Sequence, residues 1–226
     1  MPTFRHGYSA NADWRRATHA CLEQLGSGGG TPGFLYATDY FAADLGLILE
    51  EMKEATGVPH WVGTVGMGVA ATGREFVDEP ALVAMIGELD GASFRVFGSI
   101  RSSDQISAAA LRCPGGESNF AVVHADPTNA DVAALVSALA GKIESGFLVG
   151  GLTSSRRPNP QIADGITEGG VSGVVFTEEV AVATRLTQGC SPIGPKHTIT
   201  ECQRNILLSV DGKPALDVMR EDLGER

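Results

Sequence analysis

Apolar positions along this chain recur with two spacings, one helical and one alternating, and these divide it into candidate helices and strands. From Asn11 to Leu25 the residues Trp14, Ala17, Cys21, Leu22 and Leu25 fall at helical spacing with Arg15, Arg16 and Glu23 opposite, which predicts an amphipathic helix ended by the Gly26–Gly30 run. Gly33–Thr38 (GFLYAT) then reads as a buried strand, and Asp39–Ala55 as a second helix burying Phe41, Leu45, Ile48, Leu49 and Met52, with Gly57 and Pro59 beyond it. The next strand starts at His60, where Trp61, Val62 and Val65 alternate with glycines that thin or bulge it. Asp90–Gly91 between Ala81–Leu89 and Ala92–Phe97 predicts a hairpin.

Further along, Ser102–Ser118 reads as a surface connection with a short helix at Gln105–Leu111. Phe120–Ala125 is a strand, and Asn129 is the expected cap of a helix burying Val132, Leu135, Val136 and Leu139. Gly146–Leu152 is apolar enough for a central strand and runs into the polar loop TSSRRPNP. A hairpin of Val171–Thr177 with Val180–Thr187 is expected around Glu178–Glu179. Strands at Thr198–Cys202 and Ile206–Val210 then precede a helix that begins near Pro214 and carries Leu216, Met219 and Leu223. No heptad, low-complexity tract or repeat stands out. Strands alternate with helices early and hairpins crowd the second half, so the fold class expected is α/β, with α+β as the alternative. The architecture is a mixed β-sheet or two stacked sheets with outer helices.

Composition narrows the function classes. The 226 residues carry 27 acidic against 17 basic side chains, a formal charge of −10, and that surface repels phosphate backbones and anionic lipid. Neither nucleic acid nor membrane is an expected partner. Hydrophobic residues make up 43% of the chain, enough for a packed core. The start MPTFRHGY has no apolar stretch of the export type, and Cys21, Cys113, Cys190 and Cys202 are scattered without metal-ligand spacing. A cytoplasmic protein with reduced thiols and neither metal nor cofactor is expected.

Catalytic patterns are near misses. Gly63–Thr64–Val65–Gly66–Met67–Gly68 follows a strand but is GxxGxG, so a bulge accounts for it better than a nucleotide loop, and Gly141–Lys142 lacks the rest of a phosphate loop. The five histidines lie on separate elements. Cys190 sits in a Gly-Cys-Ser-Pro turn with His197 nearby; it is read as a packing residue, with a nucleophile as the alternative. Arg156–Arg157 follows a glycine pair at a strand end and suits either a carboxylate ligand or a solvated loop.

The stretches GFLYATDYFAADLGLILEEMKEATGVPHWVGTVGMGV, GFLVGGLTSS, GGVSGVVF, TRLTQGCSPIGPKHTIT and NILLSVDGKPALDVMREDLG resemble the FIST family over nearly the whole chain. The resemblance implies a sensory, ligand-binding role in signal transduction, with amino acids suggested as ligands and a signalling protein as partner. The alternatives are a protein-interaction scaffold of the kind used by F-box substrate adaptors and, more distantly, an enzyme using Cys190. It also implies a FIST N-terminal domain over residues 1–194 and the beginning of a C-terminal one over 195–226, whose uncovered apolar face would favour self-association. The ligand site is expected where GFLVGGL ends and QGCSPIGP begins. There Gly63, Gly150, Gly151 and Gly189 would let a ligand reach the backbone, Gln188 would supply a donor and an acceptor, and Trp61, Arg156 and Cys190 would complete the wall. Close strand packing is the competing reading of those glycines.

Overall fold

The computed structural model describes residues 4–185, 189 and 191–224, and these divide into two compact units, Met1–Val182 and Ala183–Arg226. Among the described residues there are five α-helices and fifteen strands, in mixed sheets.

The first unit is a topology used twice. Its first half runs β1 (Phe4–Ala10), α1 (Trp14–Leu25), β2 (Gly33–Thr38), α2 (Leu45–Thr56), β3 (Trp61–Gly66), a hairpin of β4 (Gly68–Ala71) and β5 (Arg74–Val77), and β6 (Ala81–Gly87). Its second half runs β7 (Phe94–Ile100), α3 (Ala108–Leu111), β8 (Phe120–Ala125), α4 (Val132–Ala140), β9 (Phe147–Leu152), a hairpin of β10 (Gln161–Ala163) and β11 (Ile166–Thr167), and β12 (Val171–Phe176). The sheets are ordered β1-β6-β2-β3 and β7-β12-β8-β9, and the parallel pair is β2/β3 in one and β8/β9 in the other. Register matches as well. Leu35 stands opposite Gly63 and Ala84, and Val123 stands opposite Gly150 and Gly173. Tyr36 and His124, one residue on, therefore occupy corresponding places. This duplication corrects the expectation of no repeat: GFLYAT and FAVVHA share an apolar pattern but almost no residues.

The sheets stack face to face with helices outside, as the hydrophobic pattern predicts. Leu35, Ala37, Trp61, Val65 and Leu82 pack against Ala17 and Cys21 of α1 and Ile48 and Met52 of α2. Ala121, Val123 and Val175 pack against Leu135 and Leu139 of α4. Between the sheets lie Phe34, Val62, Phe94, Phe120, Val174 and Phe176. Strand alternation sends successive side chains to opposite faces, so β2, β3 and β6 of the first sheet and β7, β8 and β12 of the second each contribute both to a helix-side core and to the core between the sheets. Helix α1 starts where the Asp13 carboxylate accepts from the backbone N–H groups of Arg15 and Arg16, and α2 ends at Gly57 in the left-handed conformation.

The halves differ at one edge. Strand β10 pairs antiparallel with β3 and extends the first sheet, whereas β4 and β5 pair only with each other and β9 is an edge strand. Several local expectations are corrected. Strands β6 and β7 belong to different sheets, so Asp90–Gly91 makes a crossover and not a hairpin. Strand β12 pairs with β7 and β8, and residues 180–185 form no strand. Asp39–Phe41 is a separate 3₁₀ turn ahead of α2, and Asp131, not Asn129, is the cap residue of α4. Asn129 donates instead to the carbonyls of Arg101 and Gly169.

The second unit comprises β13 (Ile199–Gln203), β14 (Ile206–Val210), β15 (Lys213–Pro214) and α5 (Ala215–Leu223). Its buried residues include Val210 and Val218, while Leu216, Met219 and Leu223 are half exposed, an apolar stripe of α5 left uncovered. No helix among the described residues is long and apolar enough to cross a membrane.

Candidate functional site

A cavity of about 350 Å³ lies between the two sheets, beside β9. Its floor comes from corresponding strands of the two halves: Tyr36 on β2 and Val122 and His124 on β8. One side is the end of β3 and the start of β4, from Thr64 to Val69, and the other is Gly150, Gly151, Leu152 and Ser154. Strand β9 carries no side chain at Gly151, and a Cβ built there meets nothing within 4 Å, so this side of the cavity is open. On the corresponding edge, Thr64 hydrogen-bonds the Thr153 hydroxyl at 2.8 Å and donates to the Pro160 carbonyl at 3.0 Å.

The polar centre is a pair of aromatic side chains, Tyr36 partly buried and His124 buried. The Tyr36 hydroxyl lies 3.0 Å from Nε2 of His124, and the rings meet edge-on with centroids 5.4 Å apart. Burial lowers the His124 pKa to about 4 and raises that of Tyr36 to about 12, because desolvation disfavours the charged form of each. Both are neutral near pH 7. Nδ1 of His124 is buried without a hydrogen-bond partner.

The loop after β9 ties the two sheets together at this end. Arg156 donates through Nε and its second guanidinium nitrogen to the two oxygens of Asp39, each at 3.0 Å, and its backbone N–H donates to Asp39 at 2.9 Å. The remaining guanidinium nitrogen reaches Asp78 at 2.9 Å. Asp39 is 1% exposed, and the Arg156 hydrogen bond holds its carboxyl below the usual carboxylate range. Further along the loop, Asn159 donates to Asp126, which also accepts from Thr128 and the Gly169 N–H.

Of the residues singled out from sequence, Gly150 and Gly151 are brought together at the cavity. Trp61 and Gly63 face the helix side of the first sheet; Trp61 is fully buried there and donates to the Val58 carbonyl. The Arg156 guanidinium is engaged by Asp39 and Asp78. Gly189 is exposed and belongs to the second unit, and Gln188 and Cys190 lie outside the described residues. Cys21 and Cys113 are buried thiols whose pKa values burial raises, that of Cys21 to about 12, which disfavours the thiolate. Sequence reasoning missed Tyr36, His124 and Thr64. The available signal was a polar-tipped ring on the inner-face positions of otherwise apolar strands, Phe34–Tyr36 and Val122–His124. No group of histidine, cysteine and carboxylate side chains suited to a metal occurs among the described residues.

A family model described as the FIST N domain matches residues 32–213, well over half of the chain. A search of curated proteins finds no match.

Proposed function

The chain belongs to the FIST N-domain family, known as a sensory domain in signalling, and from that premise we propose that it binds a small molecule in the cavity between the two sheets. The observation that carries this reading is the cavity's construction: strands of both halves line it, β9 presents two glycines to it, and two neutral rings form its polar centre. Such a concave, mainly apolar space with a few placed polar groups is the usual form of a small-molecule site. Transmission follows from position. Ser154 lines the cavity two residues before Arg156, so an occupant touches the loop that holds Asp39 and Asp78.

A thermal-shift screen with a metabolite set tests this, because a ligand specific to the folded state raises Tm by mass action. The expected result is a concentration-dependent rise in the wild type that is absent in Gly151→Val, whose side chain enters open space. Absence of any stabilising compound, or an equal rise in the variant, overturns it.

A second reading, a protein-interaction surface, is favoured by the second unit. Ile199, Ile206, Leu216 and Met219 are each more than half exposed, an apolar display typical of docking surfaces. Light scattering on Leu216→Glu/Met219→Glu beside the wild type tests self-association: a monomeric wild type removes that form of the reading.

A further inference from the structure

The lining of the inter-sheet cavity also indicates what class of molecule it accepts, an inference that rests on the ligand-binding reading above. Among the described residues the lining holds no aspartate, glutamate, lysine or arginine. Its two titratable rings are uncharged at neutral pH. Protonating His124 would leave a buried N–H at Nδ1 without an acceptor, and ionising Tyr36 would place a phenolate among mainly apolar groups. The hydroxyl of Thr64 is engaged by Thr153 and Pro160. The guanidinium nearest in sequence to Ser154, that of Arg156, is bound on three nitrogens by Asp39 and Asp78.

An α-amino acid brings an ammonium and a carboxylate, and each gives up its water on entry. Neutral dipoles return that loss only where several converge on each charged group, and among the described residues no side chain of opposite charge lines the cavity to do so. What the lining does offer is the apolar surface of Val122, Met67 and Leu152, together with the hydroxyl of Ser154 and the phenolic oxygen of Tyr36. That oxygen can make one hydrogen bond beyond the one it shares with His124, as donor or acceptor according to the imidazole tautomer. Size is no obstacle, since a cavity of about 150 Å³ already admits a benzene ring.

We propose that the cavity selects an uncharged, largely apolar small molecule carrying one hydrogen-bonding group, and that it discriminates against zwitterionic amino acids.

Matched pairs that differ only in the zwitterionic group isolate this point. Calorimetric titration of the full chain with indole against tryptophan, and with p-cresol against tyrosine, is expected to give saturable binding of the neutral member at least tenfold tighter than its amino acid. Affinity for indole is expected to stay level from pH 6 to 9, where neither ring changes charge. Gly151→Val, and the milder Gly151→Ala should the first variant misfold, is expected to weaken the neutral probes, and Tyr36→Phe to weaken p-cresol several-fold. If the amino acids bind as tightly as the neutral members and Gly151→Val removes them, the ligand class is overturned while the site stands. If neither member of either pair binds, or if the variants leave the neutral probes unaffected, both the class and the site are overturned.

Discussion

Gly63 and Gly150 are corresponding residues of the two halves, with φ of +157° and +150°, and a Cβ on either would overlap a backbone carbonyl of the neighbouring strand, that of Leu35 or Val123. Only glycine allows this approach. Alanine at either position is expected to cost about 3 kcal/mol, combining backbone strain with overpacking. Gly151→Ala, one residue away on the other face, has open space and should change stability by less than about 0.5 kcal/mol. Urea denaturation of the three variants checks this, and an equal loss in all three would contradict it. The glycine runs are plain in the sequence, and both uses, close packing and ligand access, were legible as alternatives. Which glycine serves which use is set by strand register and sidedness, and these come from pairing across the sheet.

Among the elements, the loop from Thr153 to Pro160 carries the most structure for its length. It joins Thr64, Asp39, Asp78 and Asp126, four positions on separate segments. Removing Arg156 strands the buried Asp39 carboxylate, so Arg156→Ala is expected to lower the urea midpoint of the first unit clearly. The loss is moderated because the arginine itself is half exposed. Arg156→Lys should recover only part, since an ammonium cannot grip both oxygens of Asp39. Arg157→Ala should fall within about 0.5 kcal/mol of the wild type. Chemical denaturation of all three is the test, and a silent Arg156→Ala would remove the clamp. From sequence the Arg156–Arg157 pair could be seen, but not its partner, because Asp39 lies 117 residues earlier. Turn chemistry misled for a related reason. Asp90–Gly91 favours a tight reversal, but the same reversal serves a chain that leaves one sheet for the one stacked on it.

Over the whole molecule, the two units should respond to pH with opposite sign. His124 has a folded pKa near 4, below the ordinary value of about 6.5, so its contribution is complete above about pH 6.5 and is lost as pH falls toward 4, an effect of about 3 kcal/mol. His197, in the second unit, lies with Nδ1 2.7 Å from Asp211 and Nε2 2.9 Å from Asp222, and these hydrogen bonds raise its pKa. Its contribution is therefore present below about pH 6.5 and is lost as pH rises through the raised value. NMR titration of the two imidazoles should show His197 titrating above the ordinary range and His124 well below it. His197→Gln should remove the alkaline loss from the second unit alone. Hydrogen exchange should be slowest in β12, whose six residues are all buried, and faster in the edge strand β9. Comparable protection in both would contradict the layered architecture.

The sequence by itself determined the local elements and the family. Apolar spacing within a few residues marks Trp14–Leu25, Gly33–Thr38 and Phe120–Ala125 as helix or strand before any partner is known, and mixed patterning with outer helices follows from it. The tertiary structure alone decided the duplication, the edge position of β9 and the cavity. Periodicity tells which side chains share a face, but not which faces meet. The contact that centres the cavity, between Tyr36 and His124, joins residues 88 apart, and that distance is closed only when two sheets with scarcely a residue in common stack on each other.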